Sequence, residues 1–336
     1  MKHTLKDVTL LAQKKLAVID MGSNSIRLVI YTIQSNGCYQ ELRNYKVVAR
    51  LSSHTTEDGS ITENGINIIV KTLKQFNKII QAEEIDQIKG VATAALRLAP
   101  NQQEVLHIIN EETSLPFQVL SEYEEAYYGY LAVTNSTSVE DGITVDIGGG
   151  STEVTLFQNR QLIHYHSFPF GAITLKKRFI ANEQPTIEEM EKLTTYLSGQ
   201  FTTLPWLKEA GLPVIGIGGT ARNLALVHQR KINYPLAGLH QFQMMPEDIE
   251  DTQQLLLSLS LAERQNVDGL SKDRADIIIP AIQAILTLVQ MTKAPSFLMS
   301  NKGLRDGLFY EEVFQHIGID RFPNVAEESF YQLSHN

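Results

Sequence analysis

Two short stretches of this 336-residue chain place an aspartate just before a turn of small and hydroxyl-bearing residues. They read Asp20-Met21-Gly22-Ser23-Asn24-Ser25 and Asp146-Ile147-Gly148-Gly149-Gly150-Ser151-Thr152. A turn without bulky side chains leaves its successive backbone N–H groups free to point at phosphate oxygens, and Ser, Thr and Asn add further donors. Carboxylate oxygens such as those of the two aspartates are ligands that Mg²⁺ prefers. Each stretch therefore predicts a phosphate-binding turn with a metal-ligating carboxylate beside it.

The two stretches align residue for residue and share Asp, Gly and Ser at their first, third and sixth positions. Each follows an apolar run, Leu16 to Ile19 or Ile143 to Val145, and precedes an alternating one, which predicts a repeated unit of strand, glycine turn and strand. A single turn of this kind is usually an ordinary hairpin, but its repetition at domain scale favours a shared binding role. Neither copy is a Walker loop or a dinucleotide-binding motif, because no Gly-Lys-Ser/Thr ends it and a strand follows it. We expect two related lobes that face each other across a cleft.

A third glycine turn, Gly216-Ile217-Gly218-Gly219-Thr220, follows the apolar pair Val214-Ile215. The sequence predicts that it opens a helix at Ala221, and a helix N-terminus favours phosphate. Gly218, Gly219 and Thr220 are therefore further candidates for phosphate binding.

Apolar and β-branched runs predict strands, and apolar residues at helical spacing predict helices. The predicted strands are Leu16 to Ile19, Leu28 to Ile33, Lys46 to Leu51, Ile88 to Ala92, Phe117 to Leu120, Pro213 to Ile217 and Ser296 to Met299. The predicted helices are Thr62 to Glu83, Glu122 to Thr134, Ile187 to Leu204, Pro246 to Leu261 and Asp273 to Met291. Alternating strands and helices indicate an α/β protein with a second half richer in helix. We expect one domain at 1–140 and a second at 141–336, with the closing helix 303–316 packed on the first.

Composition excludes several classes of function. The 29 Lys and Arg residues against 38 Asp and Glu give a formal charge of -9, which is the wrong overall field for nonspecific binding of nucleic acid or anionic membrane. The single cysteine, Cys38, cannot form an intramolecular disulfide, and no apolar run approaches the length of a membrane span or a signal peptide core. A soluble cytoplasmic protein without nucleic-acid or membrane partners is the expectation.

Over nearly its whole length the sequence resembles the exopolyphosphatase and guanosine pentaphosphate phosphatase (Ppx/GppA) family of the actin-like superfamily. The most specific string is Asp146 to Glu153, and the first turn also matches. Further matches, in the family's order, are Ala92-Thr93-Ala94-Ala95-Leu96-Arg97, Glu124-Glu125-Ala126, Gly171-Ala172, Gly216 to Thr220, Arg274-Ala275-Asp276 and Gly303-Leu304-Arg305-Asp306-Gly307. The resemblance is to the short, two-domain branch without a C-terminal His-Asp-type domain, since no His-Asp dipeptide occurs.

The resemblance implies two actin-like (ribonuclease H-like) ATPase-fold domains around a phosphate-binding cleft. It also implies removal of a terminal phosphate from inorganic polyphosphate or guanosine pentaphosphate, a Mg²⁺ or Mn²⁺ ion, and a homodimer. Glu125 would be the general base, Glu153 a second essential carboxylate and Arg97 the ligand of the attacked phosphate. Asp20, Asp146 and Glu153 would ligate the metal. Phosphoryl transfer requires charge neutralisation and in-line positioning, which these residue types supply.

Arginine and lysine residues near the motifs are candidates for further phosphate contacts. Arg97 follows a predicted strand at the rim where α/β proteins bind ligands, whereas strand alternation can turn Arg27 away from the first turn. A basic track for a longer chain is expected from Lys176, Lys177, Arg178, Lys272, Arg274, Lys302 and Arg305. Solvent-exposed helix faces explain the first three equally well.

Two other functions compete with an exopolyphosphatase. One is an ATP-dependent sugar or acid kinase on the same fold, against which the Glu124-Glu125-Ala126 motif argues. The other is a sensor that binds polyphosphate or a guanosine polyphosphate without turnover, which would hold if Glu125 did not face the turns.

Overall fold

In the computed structural model, which describes residues 14–34, 39–235 and 238–317, the first Asp-containing hairpin forms the centre of a five-stranded sheet. The elements of this half are β1 (Lys14–Met21), β2 (Ser25–Ile33), β3 (Tyr39–Val48), α1 (Glu63–Ala82), β4 (Gln87–Ala92), α2 (Ala94–Arg97), α3 (Gln102–Thr113), β5 (Phe117–Val119) and α4 (Glu122–Thr134). The order is β3-β2-β1-β4-β5, in which β2 is antiparallel to both neighbours and β1, β4 and β5 are parallel. Cys38 lies outside the described residues.

The second hairpin occupies the same place in a six-stranded sheet. Its elements are β6 (Gly142–Ile147), β7 (Thr152–Gln158), β8 (Gln161–Phe168), α5 (Ala172–Phe179), α6 (Ile187–Thr202), β9 (Val214–Ile217), α7 (Gly218–Lys231), β10 (Phe242–Met244), α8 (Pro246–Leu257), α9 (Leu261–Arg264), α10 (Ile278–Thr292), β11 (Phe297–Met299) and α11 (Leu304–Ile317). The order is β10-β11-β9-β6-β7-β8. Because β8, β7, β6, β9 and β11 repeat the directions of β3, β2, β1, β4 and β5, the duplication seen in the sequence is a duplication of topology.

Strand alternation gives the first sheet two apolar faces, each covered by helix. Ala17, Ile19 and Met21 of β1 face one side, where they pack with α1 and α3. Leu16 and Val18 face the other side, as the two-residue period of a strand requires. A buried stripe on α1 provides the matching helical surface.

The helices that close the two halves, α4 and α11, each pack on the sheet of the other half. The ring of Phe309 on α11 lies 4.4 Å from that of Tyr31 on β2, so α11 covers the outer face of the first sheet. Val133 on α4 packs with Phe157 and Ile215 of the second sheet, and the Tyr130 hydroxyl donates to the Arg160 carbonyl at 2.6 Å. Each sheet is therefore covered on one face by the helix that ends the other half.

We expect Gly307→Ala to destabilise the protein, because Gly307 sets the spacing at which α4 and α11 cross. A Cβ added at Gly307 would overlap the Tyr128 backbone carbonyl, and backbone cannot rotate out of the way. Overpacking of this kind lowers the free energy of unfolding by about 1–3 kcal/mol, measurable by urea denaturation. The matched control is Gly199→Ala on α6, where an added Cβ meets nothing within 4 Å and helix propensity raises stability by ~0.5–1 kcal/mol. Equal stabilities of the two variants would contradict the close crossing.

The α/β class is confirmed, and several predicted boundaries are wrong. The strand predicted at Lys46 to Leu51 begins at Tyr39 and ends at Val48. The helix predicted from Pro246 to Leu261 stops at Leu257, because Ser260 and Glu263 form a capping box that starts α9. The division at residues 140 and 141 stays a prediction. Among the described residues, none of the helices has the length and apolar character needed to cross a bilayer.

Candidate active site

The two hairpin turns have the same backbone geometry and face each other. The Gly22 N–H donates to the Ser25 carbonyl at 3.0 Å, and the Gly148 N–H donates to the Ser151 carbonyl at the same distance. The turns approach closely at Gly149, where an added Cβ would lie 2.9 Å from the Ser23 Cβ. The expectation of two turns on opposite sides of one cleft therefore matches the geometry.

A cleft of about 350 Å³ lies between the turns, and charged and polar groups dominate its wall. Of the predicted site residues, those that line it are Asp20, Gly22, Ser23, Asn24, Ser25, Arg27, Glu125, Asp146, Gly148, Gly149, Ser151, Glu153, Gly218 and Gly219. Arg97, Gly150, Thr152 and Thr220 are not among the lining residues. The Thr152 hydroxyl donates instead to the Phe170 carbonyl at 2.7 Å, and the Thr220 hydroxyl to the Ile147 carbonyl at 3.0 Å. Their side chains fix the turns from behind.

Glu125 faces the cleft from the first turn of α4. Ser121 and Glu124 form a capping box that fixes the start of this helix, which points the next side chain, Glu125, into the cleft. Its Oε2 accepts from Arg97 Nη1 at 2.6 Å, and Arg97 Nη1 also donates to the Leu120 carbonyl at 3.1 Å. Arg97 thus contacts the candidate base, and its contact with the attacked phosphate stays a prediction.

The pKa of Glu125 is raised to about 7, chiefly because the carboxyl is buried. Arg97 opposes this rise, but Asp146 and Asp20 add to it. A carboxylate with a pKa near neutrality accepts a proton from water far better than an ordinary glutamate does. The environment of Glu125 therefore suits a general base.

Asp146 and Glu153 stand opposite each other in the β6–β7 register. Burial is the main cause that raises the pKa of Asp146 to about 6, with Asp20 adding to it and Arg274 opposing it. Burial and the neighbouring Glu125 and Asp146 raise the pKa of Glu153 well above its usual range, although Ser167 Oγ donates to its Oε1 at 2.9 Å. The negative charge of Asp146 and Glu153 in the second hairpin is therefore only partly neutralised by the side chains around them.

The donor set fits a divalent ion that shares its coordination with substrate. Within the described ranges, no three His, Cys, Asp or Glu side chains are gathered closely enough to hold a metal ion by themselves, so the predicted trio of Asp20, Asp146 and Glu153 is not a preformed three-ligand site. Mg²⁺ commonly uses one or two carboxylates and completes its shell with water and phosphate oxygens. The carboxylates of Asp146 and Glu153, whose charge is only partly neutralised, fit such a Mg²⁺ site.

Cationic side chains also line the cleft, and sequence reasoning missed two of them. Arg27, Lys46, Arg222, Arg274 and Arg305 line the cleft. Burial, then the neighbouring guanidinium groups of Arg305 and Arg222, lower the pKa of Arg27 to about 10. Such crowding favours an anion between them. Arg222 had a signal, since it lies two residues after the third glycine turn, whereas Lys46 on an edge strand had none.

The structure places some members of the expected basic track in the cleft and others outside it. Arg274 and Arg305 line the cleft, and Arg305 Nη1 donates to Asp20 Oδ2 at 2.7 Å. Arg178 instead places its guanidinium over the Tyr196 ring at 4.3 Å, and Lys302 pairs with Asp306 at 3.2 Å. Lys176, Lys177 and Lys272 are not lining residues. Two of the seven expected members therefore line the cleft, and a track beyond it stays a prediction.

The Asn24 side chain is the clearest sign of an expected ligand. It is buried, lines the cleft, and neither its Nδ2 nor its Oδ1 has a hydrogen-bond partner in the described structure. An amide left unpaired in a buried position is costly. A phosphate oxygen in the cleft would satisfy its donor.

Comparison with known proteins gives a consistent result. The chain matches the sequence model of the Ppx/GppA phosphatase family over residues 29–316. It is 23% identical over 303 residues to exopolyphosphatase 1 of Mycobacterium tuberculosis, covering 89% of this chain and 88% of that protein. The crystal structure of the Aquifex aeolicus family member superposes with a TM-score of 0.77 at 28% identity, covering 90% of this chain and 99% of that one. An exopolyphosphatase structure from Cytophaga hutchinsonii superposes with a TM-score of 0.81 at 23% identity, covering 91% and 99%. These matches confirm the actin-like fold.

Proposed function

The chain belongs to the Ppx/GppA phosphatase family, and from that premise we propose that it is an exopolyphosphatase. The reaction is attack of water on the terminal phosphorus of inorganic polyphosphate, in line with the bridging oxygen that leaves, with release of orthophosphate. The observation that carries this proposal is the placement of Glu125, with its raised pKa, in the same cleft as the two facing turns.

Each part of the cleft has a role in this reaction. The turns at Gly22 to Ser25 and Gly148 to Ser151 hold phosphate oxygens through backbone N–H groups. Glu125 takes a proton from the attacking water, and Arg97 orients Glu125 and neutralises the phosphate under attack. Asp146 and Glu153 would hold Mg²⁺ or Mn²⁺, which neutralises phosphate charge when bound. The reaction needs no nucleophilic side chain.

The test is phosphate release from long-chain polyphosphate, guanosine pentaphosphate and ATP in parallel, with Mg²⁺ present. Guanosine pentaphosphate is included because it ends in the same phosphoanhydride, and its hydrolysis is the alternative activity within the family proposal. Fastest release from polyphosphate supports the proposal. Fastest release from guanosine pentaphosphate would make that compound the substrate. Binding of polyphosphate or guanosine pentaphosphate without phosphate release would mean that the protein is a sensor and not an enzyme.

We expect the activity to fall on the acid side of neutrality. A general base must be ionised, and the pKa of Glu125 lies at about 7, so kcat/KM should decrease about tenfold per pH unit well below that value. An ordinary glutamate would keep its activity down to about pH 4–5. The measurement is kcat/KM from pH 5 to 9 at constant ionic strength. A flat profile from pH 5 to 7 would contradict the role of Glu125 as the base.

A further inference from the structure

Arg50 contacts both lobes beside the cleft, although it is not one of the lining residues. Its backbone N–H donates to the Asn24 carbonyl of the first turn at 2.9 Å. Its guanidinium crosses to the second lobe, where Nη1 and Nη2 donate to the two Asp276 oxygens at 2.9 and 3.0 Å. Nη2 also donates to the Asp273 carbonyl at 2.7 Å. One residue thus joins a phosphate-binding turn to the segment that carries Arg274.

The segment that Arg50 contacts is held from both lobes. Lys272–Arg274 is a single 3₁₀ turn in which no residue is fully buried. A second polar contact comes from the same lobe as Arg50, since Lys46 Nζ donates to Asp273 Oδ2 at 2.8 Å. Within its own lobe, the Ser271 N–H donates to Asn223 Oδ1 at 2.6 Å and Arg264 Nη1 donates to the Ala275 carbonyl at 3.2 Å. The hydrogen bonds of Arg50 and Lys46 are therefore what fix this turn relative to the first lobe.

Arg274 depends on that position. Its guanidinium lies against the Gly219 backbone, so closely that an added Cβ at Gly219 would overlap it. It also lies near enough to Asp146 to oppose the rise in the pKa of that carboxyl. Small shifts of the 3₁₀ turn would therefore move Arg274 relative to the phosphate-binding turns.

The backbone of Arg50 indicates a requirement for its side chain. Its φ of 46° and ψ of 45° lie in the left-handed region, which glycine adopts without strain and other residues rarely do. The Arg50–Asp276 pair leaves 36% and 23% of the two side chains exposed, and exposed ion pairs add little stability. Its two-pronged geometry instead fixes the relative orientation of the groups.

We propose that Arg50 is a positioning residue that fixes Arg274 relative to the first phosphate-binding turn. Arg274 and that turn then contact the same polyphosphate chain. The inference rests on the proposed function, because it assigns Arg274 to the substrate. The Arg50 side chain acts through Asp273 and Asp276, which flank Arg274 in sequence.

The first test is Arg50→Gly, with Ser114→Gly as the matched control. Both positions have positive φ, 46° at Arg50 and 55° at Ser114, so glycine suits both backbones and neither change should lower the unfolding temperature appreciably. We expect KM for polyphosphate to rise about tenfold in Arg50→Gly and to stay unchanged in Ser114→Gly, which ends α3 away from the cleft. A lower unfolding temperature with unchanged KM and kcat would show a purely structural role and overturn the proposal.

The second test is a double-mutant cycle between Asp276→Asn and Arg274→Gln. If Asp276 acts through Arg274, Asp276→Asn raises KM several-fold alone but adds nothing when Arg274 is already replaced. If the wild type hydrolyses polyphosphate and the effects of the two substitutions on KM are additive, this inference is overturned and the proposed function stays intact. A wild type that neither hydrolyses polyphosphate nor binds it in calorimetry overturns the proposed function and this inference with it.

Discussion

Replacing Glu125 by glutamine is expected to lower kcat for polyphosphate by roughly 10²–10⁴-fold, the range for loss of a general base. The amide oxygen of glutamine can still accept from Arg97 Nη1, which lies 2.6 Å from Glu125 Oε2, so the geometry of the pair should persist. The amide cannot take a proton from water. Because the pKa of Glu125 is already raised by burial, a neutral replacement should not cost much stability.

The matched control is Glu122→Gln, an exposed carboxylate in the first turn of the same helix. It should keep kcat and KM, so that the loss in Glu125→Gln cannot be assigned to the helix N-terminus. Initial rates of phosphate release and a thermal melt of each variant are sufficient. A loss smaller than threefold in Glu125→Gln would exclude Glu125 as the base.

Gly149→Ala is expected to lower kcat/KM for polyphosphate by tenfold or more. An added Cβ would lie 2.9 Å from the Ser23 Cβ and 3.3 Å from the Asn24 backbone nitrogen. Real Cβ contacts are longer, so the two turns would have to move apart by several tenths of an ångström. Since a displacement of about 1 Å can reduce a rate a hundredfold, even this small separation should weaken a phosphate chain held by both turns.

Two comparisons identify the cause of that loss. Gly22→Ala lies in the first turn, but its Cβ would be 3.5 Å from the nearest contact, the Ser25 carbonyl, so we expect a much smaller loss there. Gly199→Ala, outside the cleft, should have none. Kinetics of the three variants at saturating Mg²⁺ make the comparison, and equal losses in Gly149→Ala and Gly22→Ala would mean that the approach of the turns is not what matters.

The hairpins were predictable because their signals are local, whereas Glu125 was predicted only through the family resemblance. The turns need small residues at fixed positions, and each lies between apolar runs. The edge strand β3 gave a weaker signal, since much of its surface is exposed and the apolar alternation of a half-buried strand is lost. The helix predicted from Asp273 to Met291 begins only at Ile278, because the residues before it form the 3₁₀ turn that contacts Arg50.

Of the five cationic side chains that line the cleft, Lys46 was not predictable from the sequence. It lies on an edge strand, distant in sequence from the two hairpin turns, and reaches the cleft only through the tertiary fold. Thr152 and Thr220 show the opposite case: both residues lie in glycine turns and have the right chemistry, but each hydroxyl bonds a backbone carbonyl. A motif identifies which residues are near a ligand, whereas the fold decides which of them point at it.

The exchange of α4 and α11 between the lobes determines how the chain can be divided. A fragment ending after α4 would keep the helix that belongs on the second sheet and lack the one that covers Tyr31 and its neighbours. Such a half would expose an apolar sheet face and carry a helix whose buried residues lack part of their partner surface. In a dimer of two such halves, the closing helix of each copy would cover the exposed sheet face of the other, as in a domain-swapped dimer. The intact chain has the architecture of that dimer joined into one polypeptide, so its two halves are expected to unfold together.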